Sequence, residues 1–447
     1  MKQRRSAGFA LLLAASSLHC GSDSEPNASQ VSDPAAVTGG TGGGAGSEPV
    51  TPPSAEAGAP SVDMPASGEG NPVVGGLSGA GGAPASEPGA AAGSGGASQV
   101  PTVPPVFDGR FILGADISSA DESIDFGSIF VDTDGVEKSL IALLANHGFN
   151  YIRLRTFVNP LAEYGYASGS GCQQKAEAYD DKDHTIAFAQ QVKAAGMGLL
   201  LDFHYSDTWA DPGKQVIPEA WRGIGSVEAL AAQVNAYTVD VVTALVAAGA
   251  RPDMVQVGNE ITPGMLIHVP TDDSDCYGNG SVLNPGVNGS QNDWDNLAAL
   301  LGAGIDGVRS VDPTIQIMLH IENTESVNGV TSWVENAQQR GVEFDVLGLS
   351  AYEAFQGPST AWRATLGQLA VNFPNLSFAI AEYNPQRRLL NDIMRELPDG
   401  RGLGSFFWEP TQSGSWGAAM FTWQGNRATA NAEDFAEYDQ MRVDFGL

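Results

Sequence analysis

The chain has 447 residues and a formal net charge of −30. The length admits up to about three domains, and so negative a charge excludes nucleic-acid binding, which asks for a basic surface, while it suits a soluble protein with a neutral ligand. Residues 21–105 contain no Lys, Arg or aromatic residue but 13 of the 26 prolines and 19 of the 55 glycines, too little apolar surface to offset the entropy of ordering them; the folded part is therefore expected in 106–447.

Along the chain, Met1-Lys2-Gln3-Arg4-Arg5 is a basic stretch and Phe9–Ala15 an apolar run too short to span a bilayer, which reads as a secretory signal over 1–20. Cys20 ends it and resembles the lipidated cysteine of a bacterial lipoprotein, although Ser17 and His19 depart from the usual flanking residues. The expectation is a cell-surface or outer-membrane lipoprotein, or otherwise a secreted or periplasmic protein, touching the membrane only through Cys20. The Gly/Ala/Ser/Pro-rich segment 21–105 then reads as a disordered tether, with a coil span of roughly 50 Å. Cys172 and Cys276 lie in loop-like sequence, and two thiols in an exported domain suggest a disulfide.

From 107 onward, short apolar runs alternate with amphipathic stretches. Strands are expected at Phe111–Ile117, Tyr151–Thr156, Gly198–Phe203, Met254–Val257, Ile315–His320, Val346–Ser350, Ser377–Ala381 and Ser405–Trp408. The intervening helices are expected at Val136–His147, His184–Ala195 (capped by Asp183), Val227–Ala248, Asp293–Val311, Ser326–Gln339, Ala361–Phe373 and Arg388–Leu397, with Glu433–Val443 closing the chain. Strands that are apolar throughout suit a parallel sheet covered on both faces. Eight βα units in about 340 residues fit a (β/α)8 TIM barrel. A doubly wound sheet is the alternative; Gly114-Ala115-Asp116-Ile117-Ser118 lacks the glycine-rich turn of a dinucleotide site.

In such a barrel the working residues stand at the C-terminal ends of the strands. There the sequence places Asp116, Arg153, Arg155, Asp202, His204, Asp207, Trp209, Asn259, Glu260, Ser350, Tyr352, Glu382, Trp408 and Glu409. Glu260 and Glu382 each follow an apolar strand, the fourth and the seventh, so they should face each other across the barrel mouth. A carboxylate in such a place is costly unless it works, and a facing pair suits glycoside hydrolysis. Trp209, Tyr352 and Trp408 offer flat faces for sugar rings. Arg153 and Arg155 flank Leu154 and are expected to diverge, only one of them entering the mouth.

At these residues the chain resembles the family 53 glycoside hydrolases, the arabinogalactan endo-β-1,4-galactanases, within the clan of retaining TIM-barrel glycosidases. The resemblance rests on Gly114–Ser118, Ile152–Pro160, Ala194–Met197, Leu201–Gln215 (with its run Asp202-Phe203-His204-Tyr205-Ser206-Asp207-Thr208-Trp209), Val255–Ile261, Asp345–Ser350 and Phe407–Pro410. It implies Glu260 as general acid/base, Glu382 as nucleophile, Asn259 at the substrate 2-OH, and Asp116, Arg155, His204, Asp207 and Trp209 in the sugar-binding subsites. Tyr352 would position the nucleophile and Trp408 would floor the cleft. The implied mechanism is retaining, with Glu260 protonated at the start and Glu382 ionised with help from an arginine of the second strand.

The chain departs from the family in the loop after the fourth strand, where Ile267-His268-Val269-Pro270 replaces a Trp-containing stretch and the insert Thr271–Asn292 follows, in Glu382-Tyr383, and in Ala351-Tyr352-Glu353. These changes keep another β-linked substrate open (mannan, glucan or another galactan), as well as a non-catalytic carbohydrate-binding barrel. No cofactor or metal is required. Asp272, Asp273, Asp275 and Asn279 offer oxygen ligands of the kind Ca2+ takes but miss the EF-hand pattern, and a solvated acidic loop is the plainer reading. A monomer acting on a neutral polysaccharide is expected.

Overall fold

Eight parallel strands close into a barrel in the computed structural model, which describes residues 109–167, 177–270, 282–414 and 416–447. They are β1 (Ile112–Asp116), β2 (Tyr151–Thr156), β3 (Gly198–Phe203), β4 (Met254–Val257), β5 (Gln316–Ile321), β6 (Val346–Ala351), β7 (Ser377–Tyr383) and β8 (Gly402–Trp408). Each pairs with its neighbour in chain order, and β8 closes on β1. The signal, the tether, Cys20, Cys172, Cys276 and the acidic loop Asp272, Asp273, Asp275 and Asn279 lie outside the described residues.

The strands separate two cores. Leu113, Leu154, Leu199, Leu201, Val255, Leu347 and Phe378 face outward under the helices. Ile112, Tyr151, Leu200, Met254, Met318, Val346, Ala379, Ala381 and Phe406 fill the bottom of the barrel. Filling a barrel needs large side chains set against absent ones. A Cβ on Gly198 would stand 2.3 Å from the Tyr151 ring, and one on Gly114 2.5 Å from the Phe406 ring. Those two rings meet edge to face at 5.6 Å.

Helices return the chain between the strands. Val227–Ala247 is long and apolar enough by composition to cross a membrane. Here Leu230, Val234, Val241, Val242 and Leu245 bury one side of it against the barrel, and Asn235 Nδ2 donates to Ala303 O of the neighbouring helix Trp294–Val311 at 2.9 Å. The helix Lys182–Ala194 is capped by Asp181 rather than Asp183: the Asp181 carboxylate accepts from His184 N at 2.9 Å, two residues earlier than the sequence suggests. The helix Leu140–Asn146 begins four residues later than expected, because Asp132 N donates to Val136 O and holds that stretch as a turn.

Two features carry no local sequence signal. Ile129–Val131, in the loop after β1, pairs with Arg427–Ala430, which in turn pairs antiparallel with Phe421–Gln424. Three- and four-residue strands joined across about 300 positions leave no period to read. The insert after β4 is tied down by two short antiparallel pairs, Gly264–Met265 with Gly289–Ser290 and His268–Val269 with Val282–Leu283.

Toward its C-terminal end strand β7 carries one residue more than the facing stretches of β6 and β8, although lower down the extra residue is on β8, where Phe378 pairs with Gly402 and Ala379 with Gly404. Leu349 pairs with Ile380 but Ser350 with Glu382, and on the other side Ile380 pairs with Ser405 but Tyr383 with Phe407. This is a β-bulge. Ala379 and Ala381 face inward. Strict alternation would turn Glu382 outward, but the extra residue lets it face inward too and sends Tyr383 out to the helix side, where its hydroxyl meets that of Tyr438 at 2.6 Å.

Candidate active site

Above the apolar floor the barrel turns polar, with Arg153 at its centre. Its Nη1 donates to Asp116 Oδ2 at 2.8 Å and lies 3.0 Å from Glu382 Oε1. Its Nη2 donates to Asp202 Oδ2 at 2.8 Å and to Asn259 Oδ1 at 2.7 Å, and its Nε to Gln256 Oε1 at 3.1 Å. One buried cation thus faces three carboxylates, and their field raises its pKa against the cost of burial. Burial would push Asp202 up, but Arg153 and His204 more than offset it and leave it lowered.

Arg153 and Arg155 do not diverge, contrary to the expectation. Two residues apart on one strand, they share a face. Arg155 occupies the next level up: Nη1 donates to Glu409 Oε1 at 2.9 Å, Nε to Asp180 Oδ2 at 3.1 Å and Nη2 to Ser119 Oγ at 2.9 Å. The arginine that reaches Glu382 is Arg153.

Glu382 is 5% exposed. Burial pushes its carboxyl up to about 7 while Arg153 pulls against that, and Tyr352 Oη donates to its Oε2 at 3.1 Å. Glu260 stands at the end of β4 on a sharp turn. Gly258 has φ 85 and Glu260 itself φ 46. A left-handed glutamate costs on the order of 1–3 kcal/mol, and the surrounding contacts hold it: Gln215 Nε2 donates to Asn259 O at 2.8 Å and to Glu260 O at 3.3 Å, and Ile261 N donates to His320 O at 3.0 Å. Glu260 is partly exposed, its Oε1 2.6 Å from Ser350 Oγ. Burial, then the charges of Glu382 and Glu322, hold its pKa well above the ordinary glutamate value.

The remaining expected residues fall into two groups. Trp209 and Trp408 meet at the mouth with ring centroids 5.9 Å apart, and Tyr352 is buried against Phe355 and Glu382. Asp116, Arg155 and His204 lie beneath the cleft surface with no side-chain exposure. His204 Nδ1 accepts from Ala210 N at 2.8 Å, and its Nε2 lies 3.0 Å from Asp202 Oδ2. Asp207 joins two loops, accepting from Asn159 N at 3.0 Å and Glu219 N at 2.8 Å. Asn259 is buried: its Oδ1 takes Arg153, Gln256 and His320, and its Nδ2 donates to Ala210 O at 2.8 Å. Sequence reasoning missed His320 and Glu322 at the end of β5. Their signal was a polar pair closing the apolar run Ile317–Ile321.

The arrangement is two carboxyl groups of unlike surroundings at one rim, one against a hydroxyl and one against a guanidinium, with aromatic faces beside them. The sequence model of the family described as glycosyl hydrolase family 53 matches residues 112–389. A Niallia circulans protein called uncharacterized protein in bgaB 5'region is 33% identical over 385 residues, covering 74% of this chain and 97% of that one. The arabinogalactan endo-β-1,4-galactanase of Thermothelomyces thermophilus is 30% identical over 330 residues, 66% of this chain and 88% of its own. Among solved structures, the Ignisphaera aggregans GH53 catalytic domain superposes with a TM-score of 0.63 at 27% identity, covering 75% of this chain and 98% of that one.

Proposed function

Since the chain belongs to glycosyl hydrolase family 53, we propose that it is an exported, endo-acting, retaining hydrolase of β-1,4-galactan, the type found in arabinogalactan side chains of pectin. The observation that carries this reading is the unlike pair Glu260 and Glu382 at the ends of β4 and β7. Relatives whose names carry the galactanase activity support the substrate.

In this reading Glu382 attacks the anomeric carbon while Glu260 gives its proton to the departing glycosidic oxygen. A galactosyl-enzyme forms, and Glu260 then takes a proton from the water that releases the sugar. Such a mechanism works with carboxyl groups about 5–5.5 Å apart. Arg153 and Tyr352 stabilise the ionised nucleophile, the first by charge and the second by a hydrogen bond. Trp209 and Trp408 stack on sugar rings, and Asn259 holds the 2-OH. The chain is organised as an export signal over 1–20, a tether over 21–105 and a catalytic domain over 106–447, which lets the domain range over an external polymer.

The test is the product profile of the whole protein on debranched β-1,4-galactan, with β-mannan, β-glucan and β-1,3-galactan beside it. Short β-1,4-linked galactooligosaccharides with retained anomeric configuration, from the first polymer alone, are expected. Turnover of a different polymer would keep the two-glutamate chemistry and move the substrate to the altered loops after β4 and β6. No turnover of any would leave a binding barrel.

A further inference from the structure

A chain of buried polar groups leads from Arg153 to Glu260, and its direction can be read. Arg153 has only protons to give, so Asn259 Oδ1, 2.7 Å from Nη2, is an acceptor. The Asn259 amide is pinned that way round because its Nδ2 donates to Ala210 O. His320 Nδ1 is 2.8 Å from the same oxygen and must therefore carry a proton. In a neutral imidazole the other nitrogen is then bare, so Nε2, 2.9 Å from Ser350 Oγ, accepts the serine proton. The hydroxyl has one proton, now used, and Glu260 Oε1 lies 2.6 Å from it. Both contacts of the serine are hydrogen bonds only if the glutamate is the donor in the second, because a serine that donated to Glu260 would leave Nε2 without a proton to accept.

Resting on the reading of Glu260 as acid/base, we propose that His320 and Ser350 are positioning residues that hold the proton on Glu260. If Glu260 ionises, Ser350 turns to donate to it, and His320 Nε2 needs a second proton to satisfy the serine. An imidazolium there is fully buried next to the Arg153 charge, and burial and Arg153 together hold the His320 pKa well below its ordinary value. Asp202 from β3 counteracts this and His204 reinforces it. Around Glu260, Glu382 from β7, Glu322 from β5 and Asp211 from the loop after β3 add negative charge in the same sense. Transfer along the relay would pass the Glu260 proton to Ser350 as the serine's own passes to His320 Nε2; in catalysis the proton goes instead to the departing oxygen.

The direction of one shift decides the matter. A serine that merely donated to a carboxylate would stabilise the ionised form, and its loss would raise the alkaline limb of kcat/KM against pH. If the relay holds the proton, Ser350→Ala lowers that limb by about one pH unit, with the acid limb in place. His320→Gln, whose amide can donate to Ser350, shifts it the same way. With a dinitrophenyl β-galactobioside, whose leaving group needs no proton, Ser350→Ala loses less kcat/KM than it does on galactan. A limb that stays or rises overturns the inference, and Ser350→Ala decides alone if His320→Gln does not fold. Glu260→Gln with azide separates the two layers: formation of β-galactobiosyl azide from the dinitrophenyl substrate identifies the acid/base. Its absence overturns that reading and the inference with it, whereas azide product with an unmoved limb overturns the relay only.

Discussion

The guanidinium carbon of Arg155 lies 3.9 Å from the centre of the Trp209 ring. The tryptophan at the mouth thus rests on a buried cation that is itself forked between Asp180 and Glu409. Lysine keeps the charge but cannot reproduce the fork. Arg155→Lys is expected to cost about 2 kcal/mol of stability and to raise KM several-fold with kcat nearly kept, because Trp209, the proposed sugar platform, loses its support. Calorimetry and steady-state kinetics on galactan check both.

In the proposed mechanism Glu260→Gln removes the proton donor, which contributes about 10²–10⁴-fold to such reactions. Its turnover of galactan should fall by that factor with KM little changed. Glu382→Gln should fall further, because the proposed covalent intermediate cannot form. Mass spectrometry with a slow 2-fluoro-galactosyl inhibitor should label the wild type at Glu382 and leave Glu382→Gln unlabelled.

Tyr352→Phe removes the hydroxyl that donates to Glu382. A donor to a carboxylate favours its ionised form, so its loss raises the Glu382 pKa beyond about 7. The acid limb of the pH–rate profile, where the proposed nucleophile gains its proton, should therefore move to higher pH, with kcat down about tenfold. A limb moving the other way would contradict the assignment of Glu382 to the acid side.

Much of the fold was legible because buried parallel strands announce themselves as apolar runs, and β2, β3 and β4 begin and end where the sequence places them. Glu260 and Glu382 stood out as carboxylates where none is cheap. What could not be read was set by pairing over distance. Which arginine meets Glu382 depends on strand stagger around the barrel, and the relay through His320 and Ser350 depends on two strands lying side by side. The altered loop after β4 looked like an acidic appendage, yet His268, just before the insert, accepts through its Nδ1 from Gln215 N at 3.0 Å. Gln215 in turn holds the backbone of Glu260.

That contact predicts an effect of Gln215→Ala. The side chain satisfies the carbonyls of Asp211, Asn259 and Glu260, and without it the left-handed turn at Glu260 loses its clamp. A loss of about 1–3 kcal/mol in stability and a fall in kcat larger than any change in KM are expected, measured by thermal melting and kinetics on galactan.

Asp132 supplies a test far from the mouth. Burial would raise its pKa, but Lys138, His147, the Thr133 amide and Asn146 more than offset it and hold it well below the ordinary 3.8. A carboxylate depressed in the folded state contributes stability that is full above its unfolded pKa and is lost as pH falls below it. Asp132→Asn should therefore melt lower than wild type at pH 7. The gap between the two melting temperatures should narrow once the pH drops below about 4, in a series of melts from pH 7 to pH 2.

The extra residue in β7 has a consequence for how this site tolerates change in length. A substitution at Ala379 or Ala381 alters volume and leaves every other side chain aimed as before. A one-residue deletion within Ser377–Ala381 that abolished the bulge would leave Glu382 facing inward, whereas regular re-pairing of the full-length strand would exchange the two faces beyond it, turning Tyr383 into the barrel and losing Glu382 to the helices. Hydropathy would hardly register the loss, since both faces at that level are already enclosed. The inward aim of Glu382, the proposed nucleophile, is thus encoded by parity, the odd or even count of residues along one strand taken together with its one bulge.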